Sequence, residues 1–190
     1  TRAEYVDRVG RLRDARPGLT LSTDVIVGFP GETDEDAAAT VDLVREVGFL
    51  GVFGFKYSPR PYTPALKLGD DVPEADKGAR LSRVFAQAEQ NLGAWLPTLV
   101  GRAEAVLVEG HSKTGGTLSG RTARNEIVHV EGGDGLDLVG RIVDVAIARA
   151  NKHSLVGALT DASRARAEAL PKTRRALPLV GARGHEAHEH

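Results

Sequence analysis

Cysteine and methionine are both absent from the 190 residues of this chain. Without a thiol the chain forms no disulfide, and no zinc–thiolate or iron–sulfur site can be ligated from within it. Long apolar runs are missing too. None approaches about 18 residues, so no segment reads as a membrane-spanning helix. The polar, helical start carries no signal-peptide pattern. Charge of one sign is also lacking: 25 Lys and Arg face 26 Asp and Glu, a net charge of −1. That balance excludes a whole-chain basic field that would hold nucleic acid without specificity. What remains is an ordinary globular composition, 41% apolar, long enough for one medium or two small domains with a real core. The chain opens on Thr1 and is read as a piece of a longer protein.

The apolar period divides the chain. Tyr5, Val9 and Leu12 recur at helical spacing before a Pro17-Gly18 stop. Residues 19–27 read as a strand. Thr33 is the expected N-cap of a helix whose first turn carries Asp34, Glu35 and Asp36, where carboxylates suit the helix dipole. Val41, Val44 and Val47 form its buried stripe, and Gly48 ends it. Residues 52–57 read as a second strand, so strand, helix and strand make a parallel βαβ unit. A proline-rich loop, "SPRPYTP", precedes a long helix that starts near residues 70–73. Its stripe runs through Leu81, Val84, Phe85, Ala88, Leu92, Trp95 and Leu99, with a kink or stop expected at Gly93 and Pro97. From Gly101 five short β segments alternate with turn clusters such as "HSKTGG", "GGDG" and "NKHS". Five strands in about 60 residues predict a small closed barrel of OB type. The predicted fold class is therefore a partial (β/α) barrel segment over residues 1–100, then an all-β barrel over 101–160. A partly helical or disordered tail is expected over 161–190. His185, His188 and His190 in that tail read as a solvated terminus, and no metal site is expected.

The turn "GFPGETDED" raises the question of phosphate. It has neither the lysine of a Walker loop nor a G-x-G-x-x-G fingerprint, and its helix start carries acids that repel phosphate. A tight structural turn accounts for the glycines. Asp24 is harder to explain, because it interrupts an apolar strand. With period two, Asp24, Ile26 and Gly28 share a face, and both faces of a parallel sheet are usually buried. A carboxylate there is expected to be paired or to hold a ligand. The carboxyl edge of parallel strands is also where ligands bind. An acid, a glycine and the aromatic of "YSPRP" converging at that edge suit a ribose, an adenine or a cation better than a phosphate.

At these residues a resemblance enters. "STDVIVGFPGETDED", "FKYSPRPYTPA", "DDVPEADKGARL", "LVEGHSK", "LSGRTARNEIVHVEG" and "SLVGAL" closely resemble the methylthiotransferase branch of the radical S-adenosylmethionine enzymes. Within that branch they are most similar to the MiaB-type enzymes that modify tRNA. The resemblance runs from about Thr1 to Leu159 with the motifs in the family's order. It implies the C-terminal portion of such an enzyme: the end of the radical SAM barrel followed by a TRAM domain that binds RNA. It also implies S-adenosylmethionine as cofactor and two [4Fe–4S] clusters, whose ligands this cysteine-free chain does not contain. The implied activity is methylthiolation of N6-isopentenyladenosine next to the anticodon, with the tRNA anticodon stem-loop as partner. By the same resemblance the protein is expected to be a cytoplasmic monomer. A sister enzyme acting on threonylcarbamoyladenosine or on a ribosomal protein aspartate stays open. So does a non-catalytic RNA-binding module.

The resemblance also assigns residues. Asp24 takes the position of the acid that hydrogen-bonds the ribose of S-adenosylmethionine, Ile26 and Gly28 lie beside the adenine, and Tyr57 and Ser58 end the next contacting strand. Arg60 could hold a SAM carboxylate or an RNA phosphate. In the barrel, bases and acids are equal in number, seven each over residues 101–159, so RNA binding needs local clustering. "GRTARN" and "NKHS" are the two clusters, and Arg121, Arg124, Asn125, Lys152, His153 and Ser154 are the candidate RNA contacts. No catalytic residue can be assigned.

Overall fold

The computed structural model describes residues 1–112 and 117–169. Helix α1 (Arg2–Ala15) starts with a capping box between Thr1 and Glu4 and buries only Val9. Strand β1 (Ser22–Val27) leads through the glycine turn into α2 (Asp34–Val47). Thr33 and Asp36 form a second capping box there, and Gly48 closes the helix at φ +64°. Strand β2 (Gly51–Lys56) pairs parallel to β1, from Ser22 opposite Gly51 to Val27 opposite Lys56. The βαβ unit is thus present as a two-stranded sheet.

Its two faces differ. On one face Val27 packs with Val41, Val44, Val47, Phe49 and Val84 in a continuous core. There β2 contributes Val52 and Gly54, and the missing Cβ of Gly54 leaves room for Leu81 and Phe85 of the next helix. The other face carries Asp24, Ile26, Phe53 and Phe55, and all four are exposed. The expectation that both faces are covered is corrected here. α2 and α3 pack on each other and on one side of the sheet, and the described residues supply no second layer.

Helix α3 (Glu74–Trp95) begins directly after Pro73 and runs through Gly93 unbroken. A 3₁₀ turn, Leu96–Leu99, with Pro97 early in it, ends the run. Leu96 and Leu99 are 1% exposed and belong to the barrel core, so that core begins before residue 101.

The barrel consists of β3 (Ala103–His111), β4 (Leu118–Thr122), β5 (Ile127–Glu131), β6 (Ile142–Ala150) and β7 (Leu155–Leu159). It closes in the order β3-β4-β5-β7-β6, with β5 and β7 parallel and every other pair antiparallel. Strand alternation points Val106, Val108, Leu118, Val128, Val130, Val145 and Ile147 inward. Two glycines allow the closure. A Cβ on Gly120 would stand 2.2 Å from the Leu107 carbonyl oxygen, and one on Gly157 2.2 Å from that of Ala146. Helix α4 (Asp161–Ala169) then docks on β6, where the Asp144 amide donates to Ser163 Oγ at 2.8 Å. The tail expectation is helical up to Ala169, and its remainder lies outside the described residues.

Candidate functional site

Two regions gather the residues singled out by sequence. The first is the carboxyl edge of β1 and β2. Gly28 sits there at φ +69°, and its amide donates to Glu32 Oε2 at 2.5 Å. Arg80 Nη1 donates to the same Glu32 oxygen at 2.8 Å and to the Glu32 carbonyl at 3.0 Å, while its Nη2 reaches Asp34 at 2.8 Å. The hydrogen bond to Asp34 raises the pKa of Arg80 above its ordinary value; burial opposes this, and Glu32 adds to it. The Gly31 amide donates to Asp71 at 3.0 Å. The Gly28 and Gly31 amides therefore point at carboxylates and the Glu32 amide donates to the Phe29 carbonyl at 2.8 Å, which leaves no anion cradle.

Lys77, one helical turn before Arg80, is 3% exposed. It donates to Asp70 at 2.5 Å and to the Tyr57 carbonyl at 3.4 Å, and its ammonium lies 5.6 Å from the Tyr57 ring centroid. Phe29 meets Tyr57 edge-on at 5.2 Å. Sequence reasoning passed over Lys77 and Arg80. A signal existed: extending the α3 stripe back from Val84 by seven and by four lands on these two bases rather than on apolar residues.

The structure separates the predicted cofactor residues into two environments. Asp24 and Ile26 stand on the bare face, opposite Phe53 and Phe55 respectively. The Asp24 carboxylate has no hydrogen bond or ion pair among the described residues. It is mid-strand, about 10 Å from the carboxyl end. Gly28 and Tyr57 are buried instead, under Lys77 and against Phe29. Tyr57 Oη is buried without a partner among the described residues. Ser58 and Arg60 are exposed beyond the strand. The Arg60 carbonyl accepts from the Thr63 hydroxyl at 2.8 Å, and this turn holds Tyr62 fully exposed at φ +66°.

The second region is the pair of barrel turns facing α3. Arg121 donates to Asn125 Oδ1 at 3.0 Å and to its carbonyl at 3.2 Å, and stands 3.4 Å from Glu109. Asn125 takes φ +75°, which its short polar side chain tolerates. Arg124 lies over the Trp95 ring at 5.8 Å and pairs with Glu104 at 2.7 Å and Glu126 at 3.0 Å. Burial works against its charge, and the hydrogen bonds it donates to Glu104 and Glu126 more than offset that and push its pKa up. Trp95 Nε1 donates to Glu126 at 2.9 Å, and the Thr122 hydroxyl makes a short bond to the same carboxylate. In the β6–β7 turn, Lys152 pairs with Glu89 of α3 at 2.6 Å, with His153 3.4 Å from the same carboxylate. Ser154 accepts from Asn151 Nδ2 at 3.4 Å. A cleft of about 520 Å³ opens between these turns and the amino ends of β1 and β2, lined by Ser22, Phe53, Arg121, Asn125 and His153 among others. Each candidate base of these turns thus stands beside a carboxylate, from the barrel itself for Arg121 and Arg124 and from α3 for Lys152 and His153.

A five-stranded closed barrel with this strand order belongs to the small Greek-key barrels, and residues 97–160 match the TRAM domain family. That match begins inside the 3₁₀ turn that supplies Leu99 to the barrel core. The chain is also 58% identical, over 97% of its length, to the tRNA-2-methylthio-N(6)-dimethylallyladenosine synthase of Sorangium cellulosum, of which the match covers 40%. The synthase of the same name from Methylococcus capsulatus is 47% identical over 84% of the chain and 34% of the relative. That from Acidithiobacillus ferrooxidans is 48% identical over 83% and 35%. The chain is similar to these synthases over most of its own length, and it spans about two fifths or less of the length of the relatives it matches.

Proposed function

We propose that this chain is the cofactor-edge and RNA-binding part of a radical SAM enzyme that methylthiolates N6-isopentenyladenosine beside the anticodon of tRNA. The observation that carries the reading is the 58% identity to a synthase of that name across almost the entire chain. Residues 1–100 are then the end of a partial (β/α) barrel whose bare face, with Asp24, Ile26, Phe53 and Phe55, is turned to the reaction chamber. Residues 101–160 are the domain that holds the tRNA anticodon stem-loop.

The chain's own residues fit S-adenosylmethionine in one respect that can be tested on the structure. Asp24 is an unpartnered carboxylate beside exposed apolar side chains, which suits a ribose hydroxyl next to an adenine ring. When bound, S-adenosylmethionine supplies the chemistry that activates the target carbon–hydrogen bond. Asp24 would accept a hydrogen bond from a ribose hydroxyl, Ile26 would lie against the adenine and the exposed Ser58 would stand at the rim, while Gly28 and Tyr57, buried under Lys77 and against Phe29, would support that edge from behind. Arg60, exposed and with no partner for its guanidinium among the described residues, offers its fork to a cofactor carboxylate or an RNA phosphate. The [4Fe–4S] clusters do not fit this chain: it has no cysteine, and no group of three metal-ligating side chains exists among the described residues. On the barrel, Arg121 and Asn125 face the RNA, with Arg124, Lys152, His153 and Ser154 in the same two turns. An enzyme of this kind works in the cytoplasm, and no helix among the described residues is long and apolar enough to cross a membrane.

Nucleoside analysis of tRNA from a strain lacking the gene tests the reading. Loss of the 2-methylthio form with accumulation of N6-isopentenyladenosine supports it. Loss of the methylthio group from threonylcarbamoyladenosine instead reassigns the chain to the sister activity.

A further inference from the structure

Both barrel turns that carry candidate RNA contacts are tied to one helix. Glu89 of α3 holds Lys152 and His153 of the β6–β7 turn. Trp95, at the end of the same helix, holds the β4–β5 turn through Glu126 and Arg124. Near its start, Lys77 and Arg80 hold the Gly28 turn and Tyr57. From Lys77 to Trp95 the helix rises roughly 27 Å. One rigid rod therefore bears the cofactor edge at one end and the RNA turns at the other.

Glu126 is the joint at the RNA end. It is 6% exposed, so it does not meet RNA itself. Its carboxylate accepts from the Trp95 indole N–H, from Arg124 Nε at 3.0 Å and from the Thr122 hydroxyl. These donors belong to the helix, the turn and the strand. A buried carboxylate so saturated is fixed in place, and it fixes its donors in turn. Arg121 and Asn125, which flank this network, are bound to each other.

We propose that Glu126 is a positioning residue. Acting through Trp95 and Arg124, it sets how the β4–β5 turn presents Arg121 and Asn125, and so fixes bound RNA relative to the Gly28 edge. The proposal rests on the RNA reading of the barrel given above.

The 190-residue chain has a single tryptophan, Trp95, so its fluorescence reports on this joint. The probe is a labelled anticodon stem-loop RNA, titrated by anisotropy at several salt concentrations, well below the melting temperature. Four proteins are compared: wild type, Glu126→Gln, Trp95→Phe and Arg121→Ala. Trp95→Phe keeps an aromatic ring under Arg124 while it loses the indole N–H and some ring area, so it reads the joint even where Glu126→Gln does not fold. We expect Glu126→Gln and Trp95→Phe to bind about three- to tenfold more weakly with an unchanged salt slope, because no phosphate contact is removed. Arg121→Ala should bind more weakly with a slope shallower by about one. In Glu126→Gln the Trp95 emission should move to longer wavelength. Wild-type affinity in both folded joint variants, with Arg121→Ala still impaired, overturns the positioning role alone. No RNA binding by the wild-type chain overturns the RNA reading and the inference with it.

Discussion

The side chain of Lys77 occupies the space that a Cβ of Gly28 would need: the built atom would stand 2.3 Å from Lys77 Cγ. Gly28 also adopts φ +69°, so both its backbone and its surroundings demand glycine. Gly28→Ala therefore combines left-handed strain with overpacking against a buried side chain. We expect a loss of about 2–4 kcal/mol, read from urea unfolding followed by circular dichroism. A loss under about 1 kcal/mol would show that Lys77 swings aside freely.

Asp24 is exposed and unpartnered among the described residues, so Asp24→Asn should leave the fold within about 0.5 kcal/mol of wild type. In the full-length enzyme it should weaken S-adenosylmethionine binding by about 1.5–3 kcal/mol, the worth of a hydrogen bond to a charged group. Isothermal titration calorimetry decides. Unchanged affinity would remove Asp24 from the cofactor site.

Leu99 lies in the barrel core although it precedes the first barrel strand. Leu99→Ala should cost about 2–5 kcal/mol. A polypeptide of residues 94–169 should fold as a β protein with a higher melting temperature than one of residues 101–160, which lacks Leu96 and Leu99. Equal melting temperatures by circular dichroism would mean that the 3₁₀ turn only caps the barrel.

The Lys152 hydrogen bond and charge hold the Glu89 pKa below its ordinary value of 4.5, with burial opposing and His153 adding a smaller lowering. A depressed carboxylate adds stability that is complete above the unfolded value and is lost as pH falls through the folded one. The β6–β7 turn should therefore detach from α3 only in acid below pH 4.5. Side-chain NMR shifts of Lys152 and His153 should report a step there that Glu89→Gln abolishes. A step that survives in Glu89→Gln would assign the acid transition to another carboxylate.

Much of this was legible along the chain. Thr33 with Asp36, the Val41, Val44 and Val47 stripe and Gly48 are local signals, and helix α2 follows them closely. The five barrel strands appear where turn clusters bound alternating segments. The expectation of a buried Asp24 face did not hold, because burial depends on what packs over a strand, and periodicity reports only which side chains share a face. The bases of "DKGAR" were passed over. Their burial depends on the glycine turn folding back onto α3, a contact between residues some fifty positions apart.

By itself the sequence determined the elements, their caps, the parallel βαβ unit and the switch to a β barrel, since each depends on neighbours a few residues away. Only the tertiary structure decided which charges are spoken for. Arg124, Lys152 and His153 meet carboxylates from β3, the β4–β5 turn and α3, while Asp24 meets none among the described residues. The reason is physical: the state of a charged side chain depends on groups within a few ångströms in space, and chain closure brings those groups together from distant positions in the sequence.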